Sequence, residues 1–135
     1  MNTSSILSTV LLAITLVLIA TTSLHAASNG EVLFEEKCAS CHTMTRPQDM
    51  STMLAPPLKG LMYHMSENFK NKEEIVQHIN SFVMNPTEEK AVCRSVRRFG
   101  LMPSQKGLLS EAQLNSIAQW MIEVSSKQCE AKTSR

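Results

Sequence analysis

The chain has 135 residues, a formal net charge of +1 and 4% aromatic residues. A chain of this length forms one small domain, which excludes the large multi-domain enzyme classes. The near-zero net charge gives no support to nucleic-acid binding, because that function usually requires a basic face. The low aromatic content is unusual, since large rings supply much of the core in small domains.

The N-terminal segment differs from the rest of the chain in charge and hydropathy. All 13 basic and 12 acidic residues lie between Glu31 and Arg135, and residues 6–20 form a largely apolar run. Small and polar residues follow this run, as in a secretory signal with its cleavage region. We predict a signal peptide over residues 1–26 and a mature domain over residues 27–135, exported to the periplasm. The alternative is an uncleaved membrane anchor, although the 15-residue run is shorter than the roughly 20 residues of a span.

The first part of the mature chain predicts a helix followed by a loop. Residues 29–42 place apolar side chains near helical spacing, which predicts one buried helix face. Three prolines and no sustained period over residues 43–57 predict a loop. Residues 58–69 are ambiguous and predict at most one short helical turn.

The clearest helix is predicted over residues 71–83. Asn71 is a good N-cap, and Glu74 stands three residues later, as in a capping box. Asn85 and Pro86 end the segment, because the residue before a proline disfavours helical geometry. Its apolar residues form one stripe, which consists of Ile75, Val76, Ile79, Phe82 and Val83.

Two more helices are predicted beyond Pro86. Residues 87–97 can form a short helix that begins with an acidic first turn. Residues 99–107 contain two glycines and a proline and predict a loop. The last helix begins at Ser110, where Gln113 completes a capping box, and ends near residue 125.

The whole pattern predicts an all-α domain with three to five short helices. The tail from about residue 127 is polar, and we expect it to fray. No run of residues predicts a strand, and no internal repeat is present. Long loops count against a self-sufficient core in a small domain, so we expect another group to fill the centre.

The strongest motif is C-x-x-C-H at Cys38, Cys41 and His42. On a helix, residues at i, i+3 and i+4 share a face. Two thiols at this spacing can add to the two vinyl groups of one haem, while the imidazole lies beneath the iron. The motif is therefore the attachment pattern of c-type haem, and a haem would fill a centre that has few aromatic rings.

Three other interpretations of the motif are less favoured. A zinc site needs two more ligands, and Cys93 and Cys129 do not form a second C-x-x-C pair. A thioredoxin-type dithiol requires a preceding strand within a βαβ pattern. A structural disulfide between positions i and i+3 of one helix is the least favoured.

Residues outside the motif carry a family resemblance. Gly30 and Phe34 precede the motif at the spacing where the first helix of class I c-type cytochromes crosses the last one. Ile117 and Trp120 match the positions that pack on them, with Trp120 where the family often has Tyr. Over residues 31 to about 125 the chain thus resembles this family of electron carriers with one haem. The phrase FGLMPS at residues 99–104 also resembles a group of exported bacterial cytochromes.

The resemblance also implies both axial ligands of the iron. Residues 55–60, APPLKG, resemble the family's G-P-x-L-x-G, with Ala55 in place of the first glycine. By this resemblance the Pro56 carbonyl accepts the Nδ1 proton of His42 and fixes its tautomer. Residues 101–103 resemble the Met-Pro segment that delivers the second ligand. The implied haem-binding residues are Cys38, Cys41, His42, Pro56 and Met102, with His42 and Met102 on the iron.

Other side chains compete for the sixth coordination position. Met102 is favoured because it lies in a loop and precedes a proline. Met84 continues a helical stripe, so we expect it to pack in the core. The family pattern places His64 and His78 on the surface.

Further methionines lie between the motif and the clearest helix. Their thioethers could form a copper(I) site, but their irregular spacing favours packing against the haem edge. These residues are Met44, Met50, Met53, Met62 and Met65.

Cys93 and Cys129 remain once two thiols hold the haem. In an oxidising compartment they can form a bridge, which would stabilise the fold by about 3–4 kcal/mol. The alternative is two independent thiols, because sequence does not give their separation.

A basic stretch precedes Met102. It can guide docking of an acidic redox partner, supply an arginine to a haem propionate, or form a solvated helix face. The stretch consists of Lys90, Arg94, Arg97 and Arg98.

These features predict a monomeric one-electron carrier of the periplasmic respiratory chain, with one haem c and no enzymatic activity. Redox-partner proteins would dock at the haem edge, and a membrane would be reached only through them or through an uncleaved N-terminus. The alternative is a haem-based sensor or ligand-binding protein in which Met102 is displaced. A haem enzyme such as a peroxidase is disfavoured because no distal base is evident.

Overall fold

The computed structural model describes residues 29–133, with side chains as far as Ser126. The predicted signal peptide over residues 1–26 lies outside the described residues and stays a prediction. Within the described part the chain is helical, with an isolated bridge between Lys106 and Leu109 and no strand. The all-α prediction is confirmed. The helices are α1 (29–37), α2 (Leu58–Asn68), α3 (Lys72–Met84), α4 (Val96–Phe99) and α5 (Glu111–Thr133), and a 3₁₀ helix covers Met50–Thr52.

Helix α3 begins where the sequence predicts. The Asn71 carboxamide oxygen accepts a hydrogen bond from the Glu74 N–H at 2.8 Å, which satisfies one of the unpaired donors of the first turn. The Glu74 carboxylate accepts from the Lys70 N–H at 2.9 Å. The reciprocal half of the capping box thus reaches one residue further back than the standard pattern.

Helix α5 has a complete capping box but extends further than predicted. The Gln113 N–H donates to the Ser110 hydroxyl oxygen at 3.2 Å, and the Gln113 side-chain oxygen accepts from the Ser110 N–H at 2.9 Å. The helix continues to Thr133 instead of ending near residue 125. No glycine or proline follows Gly107 in the sequence, so nothing in the backbone chemistry stops it.

Two predictions about the middle of the chain were wrong. Residues 58–68 form an 11-residue helix and not a short turn, because Leu58, Met62 and Met65 share one buried face. Residues 87–95 are not helical, and the helix there covers Val96–Phe99 alone. The ammonium group of Lys90 donates to the carbonyls of Ser81 and Asn85, which folds this segment back against the end of α3.

The first and last helices cross in close contact at Gly30. A Cβ atom at this position would collide with the Ser116 carbonyl oxygen and lie 2.6 Å from the Trp120 Cβ, so only glycine permits the approach. Phe34 packs on Trp120 with ring centroids 4.9 Å apart. The predicted crossing is confirmed, and these rings supply most of the aromatic packing in the core.

Helix α5 is the centre of the packing. It contacts α2 and α3 as well as α1. Its buried residues form one stripe: Leu114, Ile117, Ala118, Trp120, Met121 and Ile122.

None of the helices within residues 29–133 combines the length and the apolar character of a membrane span.

Candidate haem-binding site

The helices surround a cavity of about 370 Å³, within the range of roughly 300–1,000 Å³ typical of small-molecule sites. Its walls come from the end of α1, residues 54–56, α2, one face of α3, the non-basic residues among 91–103, and α5. The lining is predominantly apolar. All of the predicted haem-binding residues lie on this single cavity: Cys38, Cys41, His42, Pro56 and Met102.

The C-x-x-C-H motif continues the hydrogen-bond pattern of α1 beyond the end of the helix. The Cys38 N–H donates to the Phe34 carbonyl at 2.8 Å, and the His42 N–H donates to the Cys38 carbonyl at 2.9 Å. The Cys41 N–H donates to the same Cys38 carbonyl at 3.1 Å. This helical winding brings both thiols and the imidazole to the same side of the chain.

His42 is held in one orientation by a backbone carbonyl. Its Nδ1 lies 2.9 Å from the Pro56 oxygen, which is the contact that the family resemblance implies. With Nδ1–H donating to this carbonyl, Nε2 carries the lone pair that a metal ion would bind. Burial lowers the pKa of the imidazole, against the opposing effect of the Pro56 hydrogen bond. The neutral form that metal binding requires is therefore favoured.

The loop after His42 is fastened to the start of α2. The Leu58 N–H donates to the Thr43 carbonyl at 2.8 Å, and the Lys59 N–H donates to the Met44 carbonyl at 3.2 Å. Both bonds satisfy donors in the first turn of α2. The position of Pro56 relative to His42 is thus set by several backbone contacts within one short stretch of chain.

The two thiols of the motif have different environments. Cys41 is exposed, whereas Cys38 is half-buried beside the core. Burial, with the neighbouring Cys41 as the smaller cause, raises the pKa of Cys38 to about 11. Cys38 is therefore a protonated thiol at neutral pH, which makes it a poor nucleophile towards oxidants and disulfides.

Met102 reaches the cavity from the methionine loop, which we define as residues 100–107. Its side chain is half-buried and lines the cavity together with the more exposed Pro103, whereas Ser104 is exposed and does not line it. Gly100 begins the loop with a φ of 74°. This left-handed conformation costs glycine little and other residues more, so Gly100 allows the chain to turn out of α4.

The basic stretch does not line the cavity. Lys90 binds the end of α3, and the Arg98 guanidinium donates to the Met50 carbonyl at 2.8 Å. Arg94 and Arg97 are exposed. Lys37 supplies a positive charge at the cavity wall instead, and no motif or spacing in the sequence points to it.

His78 is not the surface residue that we expected. It lines the cavity and is half-buried between Phe69 and Phe82, at centroid distances of 4.7 and 5.9 Å. Burial lowers its pKa, and the charge of Lys90 adds to the effect. The four-residue spacing between His78 and Phe82 was the available sequence signal, because such residues share a helix face. His64 is exposed, as predicted.

Two other predictions concern sulfur atoms. Met62 and Met65 are buried, and Met44 and Met84 pack against the core, so these thioethers act as apolar filler. Of the five methionines between the motif and α3, Met65 lines the cavity, whereas Met50 and Met53 are half-buried away from it. Cys93 lines the cavity wall. The side chain of Cys129 lies outside the described residues, so its pairing with Cys93 stays a prediction.

The donor set of the cavity fits a c-type haem. Two thiols, an oriented imidazole and a thioether meet around an apolar space, and these are the groups that hold and ligate haem c in proteins. Among the side chains of residues 29–126, no three of His, Cys, Asp or Glu are placed together as a metal site.

The all-α fold and this cavity define a class I c-type cytochrome, a haem-based electron carrier. The family model described as cytochrome c oxidase, cbb3-type, subunit III matches residues 25–121, and the chain belongs to this family. No curated protein and no solved structure matches the chain.

Proposed function

We propose that the protein is a one-electron carrier with a single haem c, bound covalently through Cys38 and Cys41. His42 and Met102 are the axial ligands of the iron, and Pro56 orients His42. The observation that carries this proposal is the position of all these residues on one apolar cavity. They come from segments as far apart in sequence as residues 38–42 and 102, so helical periodicity does not explain their meeting.

The residues of the cavity have separate tasks. Bound haem supplies an iron that gains and loses one electron, between Fe(III) and Fe(II). His42, held by the Pro56 carbonyl, presents Nε2 at a fixed angle. The thioether of Met102 favours the reduced state relative to a second imidazole, and the apolar walls act in the same direction. With His42 and Met102 both holding the iron, no coordination position would be left for a substrate.

The rim of the cavity is suited to brief contact with a partner. Leu54 and Leu101 line the cavity and are 68% and 41% exposed. The exposed Arg97 belongs to α4, whose Val96 and Phe99 line the same cavity. A small apolar rim with neighbouring cations favours a redox partner with an acidic surface, and such electron-transfer contacts are small.

The N-terminal sequence supports export of this carrier. A signal peptide over residues 1–26 would deliver residues 27–135 to the periplasm, as a member of the respiratory chain. The family name favours a second setting, in which the chain is a subunit of a cbb3-type cytochrome c oxidase. Native gel separation of detergent extracts, followed by haem staining, distinguishes a small free carrier from a subunit of a large complex.

The optical spectrum of the holoprotein tests the proposal. We expect a thioether-to-iron charge-transfer band in the oxidised form and no rapid binding of carbon monoxide to the reduced form. Met102→Ala should remove the band, open the iron to carbon monoxide and lower the potential. Met84→Ala is the matched control, since this half-buried thioether packs against the core and is absent from the cavity wall.

Two results would contradict the proposal. Rapid carbon monoxide binding by the unaltered reduced protein would favour the haem-based sensor, in which Met102 is displaced. A Met102→Ala spectrum identical to that of the parent would show that another residue is the sixth ligand.

A further inference from the structure

The methionine loop is attached to the C-terminal end of α3. The Ser104 hydroxyl donates to the Met84 carbonyl at 2.6 Å, and the Gln105 N–H donates to the Val83 carbonyl at 3.0 Å. The last four carbonyls of a helix have no partner within the helix. The loop therefore supplies donors that the end of α3 lacks.

The C-terminal end of α3 also binds the segment between α3 and α4, through Lys90. Lys90 donates to the Ser81 carbonyl at 3.3 Å and to the Asn85 carbonyl at 3.0 Å. A cation at a helix C-terminus is favourable, because the exposed carbonyls carry partial negative charge. The C-terminal end of α3 thus binds the segment that carries Met102 at two points, at Lys90 before Met102 and at Ser104 and Gln105 after it.

Ser104 has a second contact inside the loop. Its oxygen accepts a hydrogen bond from the Lys106 N–H at 3.2 Å while its hydroxyl donates to Met84. At the other end of the loop, the Gly100 N–H donates to the Val96 carbonyl at 2.8 Å, a contact within the end of α4. The contacts that tie the loop to α3 thus lie on the C-terminal side of Met102.

From these contacts we propose that Ser104 is a positioning residue for Met102. Its hydroxyl ties the methionine loop to α3 and holds the thioether in the cavity. The inference rests on the proposed role of Met102 as an axial ligand. Ser104 stands two residues after Met102, so loss of its hydrogen bond acts directly on the backbone that presents the thioether.

The experiment compares three variants of the holoprotein. Ser104→Ala removes the hydroxyl, and Ser104→Thr retains it. Ser66→Ala is the matched control, because the exposed Ser66 hydroxyl donates to the Tyr63 carbonyl at 2.7 Å on α2, away from the methionine loop. The Gln105 backbone bond persists in every variant, so the loop keeps one anchor to α3.

The readouts report on the iron rather than on stability alone. They are the thioether-to-iron band, the midpoint potential and the rate of carbon monoxide binding to the reduced protein, with thermal unfolding measured in parallel. For Ser104→Ala we expect a weaker band and a roughly fivefold higher carbon monoxide reactivity, which corresponds to about 1 kcal/mol for a net hydrogen bond. Ser104→Thr and Ser66→Ala should match the parent.

Each other outcome overturns the inference. A Ser104→Ala protein that melts earlier but keeps the parental band and reactivity has lost stability and not positioning. Equal effects of Ser66→Ala would indicate a general response to loss of a surface hydroxyl. If Met102→Ala alters the iron and Ser104→Ala does not, this inference alone fails; if Met102→Ala has no effect, the ligand assignment fails with it.

Discussion

His42 and Met102 reach the same cavity from loops of very different construction. The His42 N–H bonds the Cys38 carbonyl four residues earlier, and its ring bonds the Pro56 carbonyl 14 residues later. Met102 is held indirectly, through Ser104 two residues later in the chain. The Ser104 hydroxyl donates to the Met84 carbonyl, 20 residues earlier than Ser104. The Arg98–Met50 hydrogen bond, which spans 48 residues, joins the two sides directly.

This difference indicates which side of the cavity opens more easily. The His42 side is held by short-range backbone bonds and by the close crossing of α1 with α5. The Met102 side depends on exposed hydrogen bonds at the end of α3, and exposed bonds of this kind break at low free-energy cost. Loss of the sixth ligand should therefore precede loss of the fifth.

The largest expected effect concerns covalent attachment on the His42 side. A Cys38→Ala, Cys41→Ala double variant should lose all covalent haem, because no thiol of the motif remains. Cys93→Ala is the matched control, since Cys93 lines the same cavity but lies outside the motif. Mass spectrometry under denaturing conditions measures the haem adduct. Retention of the adduct in the double variant, or its loss in Cys93→Ala, would contradict the attachment through Cys38 and Cys41.

The next largest effect concerns the helix that leads into the motif. Gly30→Ala should lower the free energy of unfolding by about 2–3 kcal/mol, because the added methyl forces α1 away from α5. Gly60→Ala is the control: the nearest atoms to its Cβ would be 3.8 Å away, and alanine in α2 should stabilise by up to about 1 kcal/mol. Urea unfolding of both variants measures the difference. Equal stabilities would show that the crossing is not close packed in solution.

Most of the features that the sequence predicts correctly depend on residues that are close together in the chain. The caps at Asn71 and Ser110, the crossing at Gly30 and the C-x-x-C-H motif depend on short spacings that sequence shows directly. The wrong predictions have a different origin. Residues 87–95 are not helical because the hydrogen bonds of Lys90 hold this segment against the end of α3. His78 is half-buried because Phe69, which lies outside α3, packs against its ring. The link from Ser104 to α3 is likewise a tertiary contact between residues whose types alone do not signal it.

The smallest expected effect is on the pH dependence of folding stability. It concerns His78 of α3, on the Met102 side of the cavity. Burial, with the charge of Lys90 as the lesser cause, lowers the pKa of His78 below its unfolded value. The unfolded chain therefore binds a proton at His78 more readily than the folded protein does. The full folding stability is present above the pKa of His78 in the unfolded chain, about 6.5, and part of it is lost as the pH falls through the lower pKa of the folded state. His78→Gln should flatten the dependence of stability on pH below about 6.5.

His64 provides the control for this measurement. It is an exposed histidine on α2, and His64→Gln should leave the pH dependence of urea unfolding close to that of the parent. A His78→Gln profile as steep as the parental one would show that the burial of His78 does not contribute to stability.

The most direct test of the account is a proton NMR spectrum of the reduced holoprotein with labelled methionine methyl groups. A methyl group bonded to the axial sulfur lies over the haem ring, and the ring current moves its resonance far upfield. We predict one such resonance in the parent and its loss in Met102→Ala. The absence of any shifted methionine methyl, or its persistence in Met102→Ala, would contradict the assignment of Met102 as the sixth ligand.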